Sequence, residues 1–210
     1  MKRSRMLAAA SLGTLLLVSQ AGAAVETYKI DPGHSQVGFS IRHFFSKVPG
    51  KFNTYEGTIA LDPQDLSKSV VEVSIDTASI DTGNKDRDSH LQSPDFFDAQ
   101  KFPKMTFKST SIVPQGTNKA TMKGDLTMHG VTKPVTLDVE ILGTGTGMGG
   151  RKTGGFEAKG KLNRQDFGVA WNKALEGGGA VLGDEVEIAI NIEGVGEKKA
   201  EAAPPATPKK

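Results

Sequence analysis

The sequence predicts an all-β fold, an antiparallel barrel or sandwich that carries one short helical and aromatic segment. Three observations predict it. Apolar and polar residues alternate with a period of two, most cleanly where Val135, Leu137, Val139 and Ile141 are separated by Thr136, Asp138 and Glu140. Turn residues punctuate this alternation at short intervals, at Asp31-Pro32-Gly33, Val48-Pro49-Gly50-Lys51, Asp62-Pro63 and Val113-Pro114-Gln115-Gly116. One stretch, from Lys85 to Phe107, breaks the pattern: it is charged at its start and aromatic at its end. Alternation marks one wet and one apolar face, which antiparallel strands accommodate, and closure into a barrel removes the exposed edges.

In chain order, Lys2, Arg3 and Arg5 precede an apolar run from Met6 to Val18, and Ala21-Gly22-Ala23 offers small residues for cleavage. Residues 1–23 therefore read as a signal peptide, since the run falls short of the roughly 20 apolar residues of a spanning helix. The mature, exported protein is expected to start near Val25 and to carry one domain over residues 24–196. Between Thr27 and Leu61 the pattern is strand, turn, strand, broken again at Val48-Pro49-Gly50-Lys51. Val71, Val73 and Ile75 mark the next strand. A short helix is expected near Lys85–Gln92, capped by Asp81 or Thr82. Pro94 and Pro103 bracket a piece that continues neither as a helix nor as a central strand, so Phe96, Phe97 and Phe102 must pack under a sheet or plug its end.

A strand from about Lys104 to Ser111 follows, then one from Ala120 to Met128, then the strand through Val139. Gly143 to Gly155 holds seven glycines and reads as a flexible hairpin connection. It has no following helix and no Gly-Lys-Ser/Thr, which argues against a phosphate loop. Phe156, Ala158, Gly160 and Leu162 form the next strand, and its small members favour room inside the fold. The chain turns through Asn163–Gly168 toward Trp171, passes a mobile turn at Gly177-Gly178-Gly179, and ends its β-structure with Val186, Ile188, Ile190 and Ile192. The Lys/Ala/Pro-rich tail, 197–210, has no apolar face and is expected to be disordered.

Composition excludes several function classes. With 210 residues the chain can bury a core, and its 26 basic and 24 acidic residues are scattered, so no field points to nucleic acid. Cysteine is absent, which removes disulfides, thiol catalysis and thiolate metal sites. His34, His43, His90 and His129 show no His-x-His or His-x-x-x-His spacing; only His34 and His43 have a route to each other, across a hairpin, and no metal site is expected. His90, Ser93 and Asp95 are the residue types of a nucleophilic relay, yet neighbours this close along one chain usually cap helices and tie turns. Arg87, Asp88, His90 and Asp95 are instead expected to form a polar network that fixes the aromatic plug. Neither a catalytic residue nor a cofactor is expected.

The segment Arg87-Asp88-x-His90-Leu91-x-Ser93-x-Asp95-Phe96-Phe97-Asp98, followed by Phe102-Pro103 and Phe107, resembles the signature of the YceI family. Gly124–Val135 and Asn163–Gly168 agree in the same order, so the likeness spans roughly Val25 to Gly194. It implies an eight-stranded lipocalin-like barrel around a long apolar ligand of polyisoprenoid, quinone or fatty-amide type. It further implies a periplasmic protein of transport, storage or sequestration, a homodimer that meets the membrane only transiently. The lipocalin Gly-x-Trp is missing near the start, and Trp171 sits late, so the likeness to lipocalins is one of architecture.

On this reading the ligand meets Phe39, Ile41, Phe107, Met128, Leu137 and Val139 from the first part of the barrel. Phe156, Leu162, Phe167, Trp171, Ile188 and Ile190 follow from the second, with His34, Arg42 and Asn172 at the mouth. Each buried methylene contributes roughly 0.8 kcal/mol, so a dry tunnel binds tightly without any catalytic group. Two rivals stand beside it. An enzyme acting on a lipid or amphiphile requires a histidine and a carboxylate converging in an open cavity near His90. A stress-response barrel with a protein partner requires a filled core and an exposed apolar patch.

Overall fold

The computed structural model describes residues 24–175 and 179–196; the expected signal peptide, the expected tail and the glycines at 177 and 178 lie outside the described residues. The strands are β1 (Glu26–Ile30), β2 (Gln36–His43), β3 (Ser46–Phe52), β4 (Tyr55–Leu61), β5 (Val70–Asp76) and β6 (Ile80–Asp81). After helix α1 (Lys85–Gln92) come β7 (Lys104–Pro114), β8 (Lys119–Met128), β9 (Val131–Thr146), β10 (Lys152–Asn163) and β11 (Leu182–Gly196). All pair antiparallel, in the order β1-β4-β5-β7-β8-β9-β10-β11, and β1 closes on β11 through Tyr28↔Gly196 and Ile30↔Gly194. The result is a closed eight-stranded antiparallel barrel.

The remaining strands are continuations of the first three staves, each bent in the middle. β1 and β2 both pair with β11, across the break at Asp31–Ser35. There Pro32 lacks an N–H and the Asp31 carboxylate accepts from the Gly33 N–H, so the chain makes a 3-10 turn and resumes on the same neighbour. β3 and β4 bend at Asn53-Thr54, and β5 and β6 at the 3-10 turn Thr77–Ser79. Asp76 accepts from the Ala78 N–H there, and the buried Thr77 hydroxyl donates to the Phe102 carbonyl, which ties the bend to the aromatic segment. Val48-Pro49-Gly50-Lys51, expected to break the pattern, lies within β3. Pro49 is tolerated because β6 pairs only Lys51 and Phe52, leaving the proline's other side without a strand neighbour.

Two bulges re-aim side chains. An extra residue at Thr110 switches the inward set of β7 from Met105 and Phe107 to Ile112. Another at Leu142 turns that leucine outward, 59% exposed, while Ile141 stays inside. The glycine-rich run is mostly strand: β9 extends to Thr146 and β10 starts at Lys152, so only residues 147–151 form the turn. Ladder bonds between β9 and β10, and from β11 to Thr153, Gly154 and Gly155, hold it extended despite weak intrinsic preference. Between β8 and β9, His129 and Gly130 both have positive φ, as a two-residue hairpin turn matching the strand twist requires.

One end of the barrel, the upper end here, carries the β2–β3 turn, α1 with the aromatic segment, the His129-Gly130 turn and the 164–181 connection. The helix occupies the predicted residues. Its cap is Asn84, whose side chain accepts from the Arg87 N–H at 3.0 Å, not Asp81 or Thr82. Asp81 caps Gly83 instead, and Thr82 is bound by Asp88. At the lower end, fully buried Tyr28 donates to Glu26 at 2.5 Å; burial and that carboxylate push its hydroxyl up to about 12. Lys152 also binds Glu26, fastening β10 to the closing seam.

Candidate functional site

Inside the barrel lies an almost wholly apolar cavity of about 420 Å³, lined by residues from all eight staves. Its walls follow from the alternation: the inward set of β9 is Val135, Leu137, Val139 and Ile141, and that of β11 includes Val186, Ile188, Ile190 and Ile192. All the apolar residues expected to face a ligand line it except Phe167. Phe167, 2% exposed, ends the 3-10 turn Arg164–Phe167 and packs in the core, where its carbonyl meets His129 Nδ1 at 3.2 Å.

None of the three residues expected at the mouth lines the cavity. Alternation points Ile41 and His43 inward and therefore turns Arg42 outward, where it donates to the Phe44 and Ala180 carbonyls. Asn172 brackets Leu182, donating to its carbonyl and accepting from its N–H, so it fixes the entry to β11 while its neighbour Trp171 faces the cavity. His34 sits outside, at the β1–β2 bend, 2.8 Å from Asp31 Oδ2. The polar groups that do reach the upper end are His43, Thr82, Arg87, His90 and Arg164.

These groups belong to the plug. Arg87 donates from Nε to the Thr82 hydroxyl and from a terminal nitrogen to the Thr82 carbonyl, while Asp88 accepts from the Thr82 N–H and hydroxyl. His90 Nε2 lies 2.9 Å from Asp95 Oδ2. The ring of His90 stands edge-on to Phe96 at 5.0 Å and to Trp171 at 5.2 Å, and Phe97 stands edge-on to Phe52. The expected network is thus two clasps, Arg87–Thr82–Asp88 and His90–Asp95, with aromatic rings beneath. Ser93 Oγ accepts from the Asp95 N–H and completes a turn, so His90, Ser93 and Asp95 do not form a relay.

Sequence reasoning passed over Arg164. It is 3% exposed and donates to the carbonyls of Gly183, Val169 and Trp171, at 2.9, 2.6 and 2.9 Å, and to Asp184 at 3.3 Å. Burial depresses its guanidinium below the usual range, and Asp184 opposes that. It holds the connection that carries Val169, Trp171 and Val181 against the cavity. Ala158 lines the cavity, but the inward glycines Gly50, Gly124 and Gly160 add no room to it. The Phe39 ring lies over Gly50, Phe107 over Gly124, and a Leu137 methyl would stand 2.6 Å from a Cβ at Gly160. Space comes instead from the circumference of eight staves.

Among the described residues one group of histidine and carboxylates converges: Asp31, His34 and Glu193, on the outer face. No helix among the described residues is long and apolar enough to cross a membrane.

The YceI-like domain, as a family description, matches residues 28–194. Protein YceI of Salmonella arizonae is 40% identical over 191 residues, covering 90% of this chain and 96% of the relative. The crystal structure of the Campylobacter jejuni YCEI protein is similar with a TM-score of 0.64 at 36% identity, over 73% of this chain and 87% of that one. A polyisoprenoid binding domain from Saccharophagus degradans shares the fold with a TM-score of 0.59 at 14% identity, over 82% of this chain and 99% of that one.

Proposed function

The chain belongs to the family of YceI-like domains, and we propose that it holds a long apolar lipid inside its barrel, for transport, storage or sequestration in the periplasm. The observation that carries this reading is the cavity of about 420 Å³ with walls of methyl groups and rings. Such a space gives water too few partners and favours an apolar occupant. Its volume lies within the range of about 300–1,000 Å³ typical of pockets that enclose a small-molecule ligand. Each methylene transferred adds roughly 0.8 kcal/mol.

The ligand class is a polyisoprenoid, quinone or fatty amide. The relative described as polyisoprenoid-binding supports that class through the shared fold. A carbonyl or hydroxyl head group fits the upper end, where His43, Arg87 and His90 replace the mouth residues expected from sequence. The cavity walls contact the chain through the residues already named, from Phe39 and Ile41 to Ile188 and Ile190. The basic and apolar N-terminal run supports export, and membrane contact is confined to loading and unloading. The protein acts as a homodimer and performs no chemistry on its ligand.

Native mass spectrometry of the mature protein from its own periplasm, before and after organic extraction, tests this. A stoichiometric apolar mass lost on extraction is expected. An empty protein that also refuses added isoprenoid alcohols and fatty amides would overturn it.

A further inference from the structure

The closing seam of the barrel carries a second feature on its outer face. Asp31 and Glu193 lie on opposite sides of this seam and are joined through the backbone: the Asp31 N–H donates to the Glu193 carbonyl at 2.8 Å. Ser35 fastens the other side of the bend, its hydroxyl accepting from the Glu193 N–H at 2.9 Å. Asp31 spends Oδ1 on the Gly33 N–H and turns Oδ2 to His34 Nδ1. Inward-facing Ile192 sends Glu193 outward, and its side chain joins the same cluster. One donor atom from each of Asp31, His34 and Glu193 lies within 4.8 Å of the other two.

We propose that Asp31, His34 and Glu193 bind one borderline divalent cation of the zinc class, which staples the β1–β2 bend to β11 on the outside of the barrel. Bonds of 2.0–2.2 Å at tetrahedral angles place ligand atoms about 3.4 Å apart, so on binding the His34–Asp31 contact of 2.8 Å opens slightly while Glu193, within 4.8 Å of both, draws in. The backbone bonds above already hold the three residues together, and only side-chain rotations remain. One imidazole nitrogen and two carboxylate oxygens suit a borderline ion, with water in the fourth position. Two carboxylates are too few for calcium, which takes six to eight oxygens. A metal at Nδ1 needs that imidazole nitrogen free of its proton, so binding competes with the His34–Asp31 contact. Because the ion binds only where the bend meets β11, it stabilises the folded barrel by mass action.

Zinc chloride titrated calorimetrically into the metal-stripped mature protein, with thermal unfolding at the same concentrations, tests the site. One equivalent is expected to bind, with a Tm that rises with zinc concentration. His34→Ala and Glu193→Gln are each expected to weaken binding at least tenfold and to abolish the Tm rise, whereas Asp125→Asn, at an exposed carboxylate on β8 away from the seam, leaves both unchanged. His34 is exposed, so His34→Ala keeps the fold and decides the matter if Glu193→Gln disturbs the seam. Absence of saturable binding, or wild-type binding by His34→Ala, would overturn the proposal.

Discussion

A polar side chain inside an apolar barrel must find every bond it needs, and Arg164 does so through three backbone carbonyls and Asp184. Its planar fork matches carbonyls from separate segments, which a lysine ammonium cannot do at once. Arg164→Met leaves the carbonyls of Val169, Trp171 and Gly183 without their donor, and each buried unsatisfied group costs about 1–3 kcal/mol. Some of that is recovered by water reaching the upper end, so a loss of about 3 kcal/mol is expected, with Arg164→Lys intermediate. Urea unfolding measures it as a lower midpoint at unchanged slope; a loss under about 1 kcal/mol would show that the connection is held elsewhere. In the sequence, Arg164 reads only as part of a turn, because nothing local distinguishes a buried arginine from a solvated one. Arg42 and Asn172 misled for a related reason. Arg42 is one position from Ile41 and His43, and a single step along β2 reverses the face; Asn172 follows Trp171 in an irregular connection and spends its amide on Leu182.

At the scale of elements, α1 is a helix without a buried residue, so its own face contributes little packing. It stays in place through the Asn84 cap, the Thr82 clasp and the rings of the following segment. Asn84→Ala removes the acceptor for the Arg87 N–H and should cost about 1 kcal/mol. The more telling readout is local: amide exchange across Lys85–Gln92 should quicken while that of β9 and β10 stays unchanged. Uniform quickening would mean that the plug and barrel open together. The helix was legible because charged residues interrupt a strong period-two pattern. Its cap was not, since an N-cap is defined by reach to the N–H three residues on, and that offset selects Asn84. The glycine-rich run and Pro49 were read as breaks because propensity was weighed without neighbours. Pairing with β9, β10 and β2 overrides it.

For the molecule as a whole, the all-β class was legible from alternation, but a sandwich and a barrel alternate alike. Closure depends on Tyr28–Ile30 meeting Gly194–Gly196, a pairing between the two ends of the fold that no local pattern encodes. The same limit applies to the interior, because inward residues look alike whether they fill a core or line a cavity. Ala158 discriminates between the two. It is buried on β10, opposite Val139 and Ile190, all three on the cavity wall. In a filled core, Ala158→Phe overpacks and costs about 1–3 kcal/mol. In this barrel the ring enters open space, so the ligand-free variant should unfold within about 1 kcal/mol of the parent. The ring also occupies volume that the lipid needs, and retention of the native apolar ligand, or uptake of an added isoprenoid alcohol, should fall at least tenfold. Unchanged stability with lost binding places the ligand inside the barrel. Unchanged stability with unchanged binding would place it on the outer surface, beside exposed residues such as Phe45, and would leave the cavity without a role.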